Sequence, residues 1–318
     1  MIASVQPHRA ERQRAAVQEF RARVVGPYVG KLDLDQSIAA ADKKQMPRRQ
    51  GTRDAATAVK FSARVCFLIA PILPVWCLTF IKGDEAVRSS DLPEVRALQL
   101  FKSMSDENFD VLMQAAYLQT FPAQLDLIAE GDPSDFLYVV IEGCVELFAC
   151  SNGREATMDL VQPVETFILA AVIRDALFLM SARTCERSKI LLIPSEDVRD
   201  AFRKDEGFAR AIVVELAGRY RTVVKEHKDL KLRTAVERLA NRLLAYHKDQ
   251  GATGSLELPY DKRTIASLLG MTPENLSRAF NTLRPYGVSV QGATVHLADL
   301  KSLETLAKPN PLIDDRRT

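Results

Sequence analysis

Three polar side chains near the C-terminus have the types and spacing of a group that reads nucleic-acid bases. Glu274, Ser277 and Arg278 are three and four residues apart, so on a helix they project from one face. Arginine can donate to both acceptors of guanine, glutamate can accept from the cytosine amino group, and serine can approach thymine. The nearby basic side chains that could bind phosphate are Lys262, Arg263 and Arg284.

Two short helices must position these side chains, and the sequence marks the ends of both. Asp261 is suited to cap a helix that ends at Gly270, because glycine tolerates the left-handed conformation that closes helices. Thr272-Pro273 marks the next start. The turn between Gly270 and Thr272 is so short that the two helices must cross steeply, as in a helix-turn-helix. Two alternating runs joined at Gln291-Gly292 predict a hairpin, the wing. The alternative, ordinary helices with a solvated polar face, is disfavoured because all these signals agree.

The composition of the 318 residues, with 47% hydrophobic and 26% charged side chains, is that of a soluble protein with room for two domains and an extension. The formal net charge of +2 is too small to steer DNA, so nucleic-acid binding would need a local basic patch. The cysteines are odd in number, lie far apart in the sequence and form no CxxC pair. We therefore expect neither a zinc site nor a disulfide framework, and a cytoplasmic location. They are Cys66, Cys77, Cys144, Cys150 and Cys185.

Residues 1–90 are predicted to be a basic, disordered extension with an apolar stretch at residues 65–81. Residues 1–60 carry 12 Lys and Arg against 6 Asp and Glu and show no sustained period. The apolar stretch is at the lower limit for a membrane span, and Pro71 and Pro74 interrupt it, so membrane association is disfavoured. Three interpretations stay open: a flexible arm, a membrane anchor, or a segment that is not made.

Residues 91–204 are predicted to form a domain of short antiparallel strands after an initial helical segment. Between Leu118 and Pro194, short apolar runs alternate with turn signals. Asn152-Gly153 is the dipeptide that a type I′ hairpin prefers, since both residues need positive φ. This spacing of strands indicates an antiparallel sandwich or roll.

A long helix is predicted over residues 205–232, with apolar residues along one stripe and charged residues beside it. The favoured interpretation is a dimer seam like that of a coiled coil, and the alternative is a helix that packs on its own sheet. The residues of the predicted seam are Phe208, Ile212, Leu216, Val223 and Leu230.

The sequence resembles the CRP/FNR family of bacterial regulators over residues 92–308. The segment EGDPSDFLYVVIEGCVELF, from Glu130 to Phe148, is similar to the family's cyclic-nucleotide-binding β-roll, and the long helix is placed like its dimer helix. TPENLSR is similar to the recognition helix of the FNR branch, with its Glu-x-x-Ser-Arg pattern on Glu274, Ser277 and Arg278. The resemblance implies a homodimer that bends a palindromic promoter with TTGA-like half-sites and contacts RNA polymerase.

The predicted fold is therefore α+β: a β-roll sensory domain (residues 91–204), a dimerisation helix (205–232), a winged helix-turn-helix (233–308) and a polar tail (309–318).

One departure from the family concerns the effector. In members that bind cyclic AMP, a Gly-Glu pair holds the ribose and an arginine holds the phosphate. Here those slots fall on Ile168, Leu169 and Met180, so a buried phosphate would lack a compensating charge. Cyclic-nucleotide binding is disfavoured, and the effector and any cofactor are unknown.

The sequence contains none of the common catalytic motifs, so we expect no enzyme. The leading hypothesis is a DNA-binding regulator that an effector at the β-roll controls. The alternatives are a small-molecule or cyclic-nucleotide binding module with an allosteric role and secondary DNA binding, and a regulator tethered to a membrane by residues 65–81.

Overall fold

The computed structural model describes residues 87–251 and 253–315. The apolar stretch at residues 65–81, and all but the end of the predicted extension, lie outside the described residues. Within the described part, no helix is long and apolar enough to cross a membrane. The chain there begins with two helices, α1 (Leu92–Arg96) and α2 (Asp106–Gln114).

A β-roll of two antiparallel four-stranded sheets follows, as the strand pattern predicted. The strand orders are β1-β8-β3-β6 and β2-β7-β4-β5. The strands are β1 (Tyr117–Phe121), β2 (Asp126–Ile128), β3 (Phe136–Glu142), β4 (Val145–Ser151), β5 (Arg154–Val161), β6 (Thr166–Phe167), β7 (Ser181–Thr184) and β8 (Ser188–Pro194). Helix α3 (Leu169–Arg174) lies between β6 and β7.

Strand β3 shows why the roll holds together. Six successive residues of β3, from Phe136 to Ile141, are buried. A strand buried on both faces must be apolar throughout, because one face packs on the roll interior and the other on helices. The hairpin between β4 and β5 turns at Asn152 and Gly153, whose φ angles of 51° and 72° agree with the type I′ prediction.

Helix α4 (Ser195–Lys204) leads into the long helix α5 (Glu206–Leu232), which Asp205 caps. Burial opposes ionisation of Asp205, but hydrogen bonds from Asn108, Ser105 and the backbone N–H of Phe208 outweigh it and lower the pKa of this carboxyl. The cap thus ties the start of α5 to the start of α2.

The first half of α5 packs on the β-roll, which corrects part of the predicted dimer seam. Phe208 and Ile212 are 0% exposed within this single chain, and Phe208 stacks on Phe101 at 5.9 Å between ring centroids. Side chains already buried in their own domain gain nothing from a second copy. Leu216 is half-buried against the same core. Of the predicted seam, only Val223 and Leu230 are exposed, by 59% and 48%.

A second stripe of α5 is also exposed. Val213, Ala217, Tyr220 and Val224 are spaced by four, three and four residues, which is the heptad spacing of coiled-coil helices. Val213 is 58% exposed and Tyr220 70%. We name these four residues the α5 stripe.

The C-terminal part is built on helix α6 (Ala235–Asp249), which begins with a capping box between Thr234 and Glu237. Its other elements are β9 (Ser255–Glu257), α7 (Lys262–Leu268), α8 (Pro273–Leu283), β10 (Val288–Gln291), β11 (Thr294–Leu297), α9 (Leu300–Ala307) and α10 (Pro311–Asp314). The sheet order is β10-β11-β9.

Residues 309–318, expected to be a polar tail, contain an anchored helix. In α10, the carboxylate of Asp314 pairs with both terminal nitrogens of Arg233, at 2.6 and 2.7 Å. Lys225 donates to the backbone carbonyl of Asp315. The chain therefore returns to α5 after the last helix of the C-terminal core, which the polar composition did not indicate.

Candidate nucleic-acid interface

Helix α7 is the first helix of the predicted helix-turn-helix, and its ends agree with the sequence signals. The carboxylate of Asp261 accepts from the backbone N–H groups of Arg263 and Thr264, at 2.8 and 3.0 Å. Gly270 ends the segment with φ +61°. A Cβ there would also lie 2.6 Å from Cδ2 of Leu230 on α5. Glycine is therefore favoured by the backbone conformation, and the Leu230 side chain packs against it.

Helix α8 presents the predicted base-reading residues. The hydroxyl of Thr272 accepts from the N–H of Asn275 at 3.3 Å, and Pro273 occupies the first turn. The inner face of α8 is anchored in the C-terminal core by buried residues, namely Leu276, Ala279, Phe280 and Leu283. Glu274, Ser277 and Arg278 all lie on the opposite, exposed side. The amphipathic pattern of α8 thus fixes which side chains face solvent.

The chemistry of this exposed side suits contacts to bases. Hydrogen bonds from the backbone N–H of Glu274 and from Thr272, together with the charge of Arg278, lower the pKa of the Glu274 carboxyl. Glu274 is therefore an anionic acceptor at neutral pH. Ser277 Oγ donates to the carbonyl of Pro273 at 3.1 Å, which leaves its lone pairs as acceptors. The guanidinium of the exposed Arg278 makes no hydrogen bond within the described residues, so its five donors are available to a ligand.

The three predicted phosphate ligands are exposed at helix ends. Lys262 and Arg263 form the first turn of α7, and Arg284 begins the 3₁₀ turn that follows α8. The wing is present as the antiparallel pair β10 and β11, in which Val290 faces Val295 and Gly292 turns with φ +64°.

Strand β9 was missed by the sequence analysis. It pairs with β11, with Leu256 opposite Val295. Leu256 and Leu258 are buried between exposed or half-exposed neighbours, so the alternation in SLEL was the signal that could have revealed it.

A contact between the β-roll and α7 was also missed, because the residues are 110 positions apart in the sequence. Ser267 Oγ accepts from the N–H of Thr157 at 2.7 Å and lies 3.3 Å from its carbonyl oxygen, to which it can donate. Thr157 is on β5, the edge strand of its sheet. Nearby, Gln162 Nε2 donates to the hydroxyl of Tyr260 at 3.0 Å. These bonds place α7 against the edge of the roll.

The predicted effector slots hold apolar side chains in the structure. Ile168 adopts φ +57°, a left-handed conformation that glycine adopts without strain and a β-branched residue does not. Leu169 is 4% exposed, and Met180 is half-buried. Arg183, three residues after Met180, is held by Glu146 and Glu155 at 2.8 and 3.0 Å. Its charge is therefore already compensated within the roll.

Aromatic side chains fill the interior next to these slots. Phe136, Tyr138 and Phe167 are at most 3% exposed, and the rings of Tyr138 and Phe167 stack with centroids 5.1 Å apart. Among the described residues, no group of three or more His, Cys, Asp or Glu side chains could hold a metal ion.

Comparison with known proteins agrees with both domains. A family of cyclic nucleotide-binding domains matches residues 118–205, and a family of Crp-like helix-turn-helix domains matches residues 237–306. A CRP-like cAMP-activated global transcriptional regulator of Mycobacterium tuberculosis is 24% identical over 194 residues, 59% of this chain and 87% of the relative. The nitrogen fixation regulation protein FixK of Rhizobium meliloti is 25% identical over 61% of this chain and 84% of its own.

Solved structures share the fold. FixK2 from Bradyrhizobium japonicum is 24% identical with a TM-score of 0.51, over 61% of this chain and 98% of that one. A CooA mutant from Carboxydothermus hydrogenoformans is 19% identical with a TM-score of 0.52, over 60% and 88%.

A β-roll followed by a long helix and a winged helix-turn-helix defines a DNA-binding transcriptional regulator with a cyclic nucleotide-binding domain. Both domains are those of CRP/FNR-type regulators, in agreement with the resemblance found in the sequence.

Proposed function

We propose that the protein is a sequence-specific regulator that binds, as a homodimer, a palindromic DNA site with TTGA-like half-sites in the bacterial cytoplasm. The observation that carries this proposal is the exposed side of α8, where Glu274, Ser277 and Arg278 project together from a helix capped at Thr272. A helix of this size fits the major groove, where each base pair presents a distinct pattern of donors and acceptors. Contact with RNA polymerase at the promoter is part of the proposal.

The three side chains divide the reading between them. Arg278 donates to O6 and N7 of a guanine, and Glu274, one turn earlier, accepts from the amino group of a cytosine nearby. Ser277 lies between them, where its methylene can contact a thymine methyl group. Lys262, Arg263 and Arg284 bind phosphates and fix the register of α8 without reading sequence.

The α5 stripe is the proposed dimer seam. Val213 and Tyr220 expose apolar surface at coiled-coil spacing on a helix of 27 residues, whose Phe208 and Ile212 are already buried on their own domain. A parallel second copy would bury the stripe around a two-fold axis, and that axis would place two copies of α8 on one palindrome.

The effector at the β-roll is proposed to be other than cyclic AMP or cyclic GMP. The cAMP-activated relative carries that ligand in its name. In this chain, Leu169 and Met180 occupy the proposed ribose and phosphate slots, and Arg183 is engaged by two carboxylates. A phosphate in this position would be a buried charge without a partner.

The test is a selection from random DNA duplexes with the full-length protein, followed by sequencing of the bound fraction. The proposal expects a palindrome whose half-sites are centred about one helical turn apart. Lys301→Ala is the control, because it removes an exposed basic side chain of α9 outside the proposed interface. This variant should select the same palindrome as the parent protein. Recovery of no sequence preference, or of a single unpaired half-site, would contradict the proposal.

A further inference from the structure

The fold brings together two cysteines that lie far apart in the sequence. Strands β4 and β7 pair with Val145 opposite Thr184, so the next opposed residues are Cys144 and Cys185. The N–H of Cys185 donates to the carbonyl of Cys144 at 2.9 Å, so the two residues are directly opposed across the strands. The separation of the two cysteines in the sequence gave no sign of this pairing.

The backbone around the pair is fixed by close contacts. Gly143, with φ +91°, lies so close to Ser188 that a Cβ at this position would clash with the Ser188 backbone at 2.7 Å. The hydroxyl of Ser188 accepts from the N–H of Cys144 at 3.2 Å. Directly opposed residues of antiparallel strands have Cα atoms about 4.5–5.5 Å apart, inside the range that a disulfide spans. Little backbone movement is needed to join the two sulfur atoms.

The two thiols have different environments. The hydrogen bond from the Cys185 thiol lowers the pKa of Cys144, and this effect outweighs burial and the charges of Glu186 and Glu146. The same hydrogen bond and burial raise the pKa of Cys185. Cys144 is 7% exposed, whereas Cys185 is half-exposed. Cys144 is thus the better thiolate, and Cys185 is the thiol placed to resolve its oxidised form.

The geometry points to a redox site in which Cys144 and Cys185 form a reversible intramolecular disulfide when a hydroperoxide oxidises them. The Cys144 thiolate attacks the hydroperoxide; an S–O bond forms, the O–O bond breaks, and the leaving alkoxide takes a proton to become an alcohol. The Cys185 sulfur then attacks the resulting sulfenic acid; the S–S bond forms and hydroxide leaves as water with the Cys185 proton. Two thiols lose two electrons, and a dithiol returns them by exchange.

The pair is linked to the DNA-binding domain through one side chain. Gln162 Nε2 lies 3.5 Å from Cys144 Sγ and 3.0 Å from the hydroxyl of Tyr260, which directly precedes the cap of α7 at Asp261. Formation of the disulfide draws the Cys144 sulfur towards Cys185. It also removes the Cys144 thiolate, the acceptor to which Gln162 Nε2 donates. Gln162 then loses its fixed position, and the placement of α7 and α8 loosens. DNA binding would then have to restore the order of α7 and α8, at a cost in free energy. We therefore expect oxidation to weaken DNA binding.

Peptide mapping tests the site without any DNA. The full-length protein is treated with hydrogen peroxide, free thiols are blocked with N-ethylmaleimide, and the protein is cut after glutamate without reduction. This cleavage puts Cys144 in residues 143–146, Cys150 in residues 147–155 and Cys185 in residues 166–186. We expect residues 143–146 linked to residues 166–186, and release by dithiothreitol. Linkage of either peptide to Cys150, to another chain, or to nothing overturns the proposal.

DNA affinity of the same oxidised and reduced samples tests the link, which rests on the proposed function. Oxidation should weaken binding at least about fivefold, in the range of measured couplings between sites. Cys185→Ser should abolish the response, while Cys150→Ser, at an exposed cysteine, should keep it. Gln162→Ala should remove the response but retain the linked peptides. A mapped disulfide with unchanged affinity overturns the link alone, and failure of the reduced protein to bind any duplex refutes the proposed function instead.

Discussion

The β-roll and the winged helix-turn-helix both match domains of one family, yet they differ in the polar groups that face their ligands. Helix α8 exposes an acceptor, a hydroxyl and an arginine on one side, over a buried apolar side that fixes their orientation. The roll has apolar side chains at the three positions predicted to be the cyclic-nucleotide slots, and aromatic rings fill the interior beside them. A domain match therefore identifies a scaffold, and the ligand must be argued from the residues of each site.

The largest expected effect concerns the α5 stripe, the proposed dimer seam. Val213→Lys should abolish the dimer, because it would bury an unpaired charge twice across the axis at a cost of several kcal/mol. Val111→Lys, on α2, is the matched control, since Val111 is 62% exposed and Val213 58%. Sedimentation velocity measures both. A monomeric parent protein, or a dimeric Val213→Lys variant, would show that the stripe is not the seam.

Replacement of Arg278 by Ala sharpens the assignment of α8 as the reader. The loss of two hydrogen bonds to guanine should cost about 1–3 kcal/mol per half-site and relax the preference at one base pair. Selection from random duplexes, repeated with the variant, measures the change. If the variant recovers the same preference at every position, α8 does not read the site.

Replacement of Lys262 by Ala should have a smaller effect of a different kind. A phosphate contact carries no sequence information, so binding should weaken on all duplexes alike. The slope of log affinity against log salt concentration should decrease by about one unit per half-site. Titrations at several salt concentrations give the slope. A change confined to one sequence would make Lys262 a base contact.

The smallest expected effect is at the β-roll, which should bind added cyclic AMP or cyclic GMP only very weakly. Without a cation for the phosphate, affinity should be no tighter than about millimolar, near −4 kcal/mol. Isothermal calorimetry on the full-length protein measures it directly. Micromolar binding would mean that the ligand is held by residues other than those at Ile168, Leu169 and Met180, and the contrast between the two domains would disappear.

A feature could be predicted from the sequence when the residues that form it lie close together in the chain. Asp261, Gly270 and Thr272 mark helix ends through bonds within a few residues, so the helix-turn-helix could be located residue by residue. The periodicity of α5 indicated an apolar stripe but not its partner, so Phe208 and Ile212 were assigned to a second copy although they pack on their own roll. A helix can carry two apolar stripes, and only the sheet beneath it decides which one is left exposed.

The contacts that depend on strand pairing could not be predicted at all. Cys144 meets Cys185 because β4 pairs with β7, and Thr157 meets Ser267 because β5 ends its sheet. No local pattern specifies either neighbour. The sequence therefore predicted the fold class and the helix-turn-helix, but not the contacts between distant strands.

The bond between Ser267 and Thr157 also bears on how the roll stays out of aggregates. An edge strand with free N–H and C=O groups is a template for the strand of another chain, and proteins cover such edges with side chains or helices. In this chain α7 provides the cover for β5, with the Ser267 hydroxyl in the place that a neighbouring strand would take. Movement of α7 away from β5 would expose this edge strand and so open a route to strand-to-strand association. The helix-turn-helix would in this way help to keep the β-roll soluble.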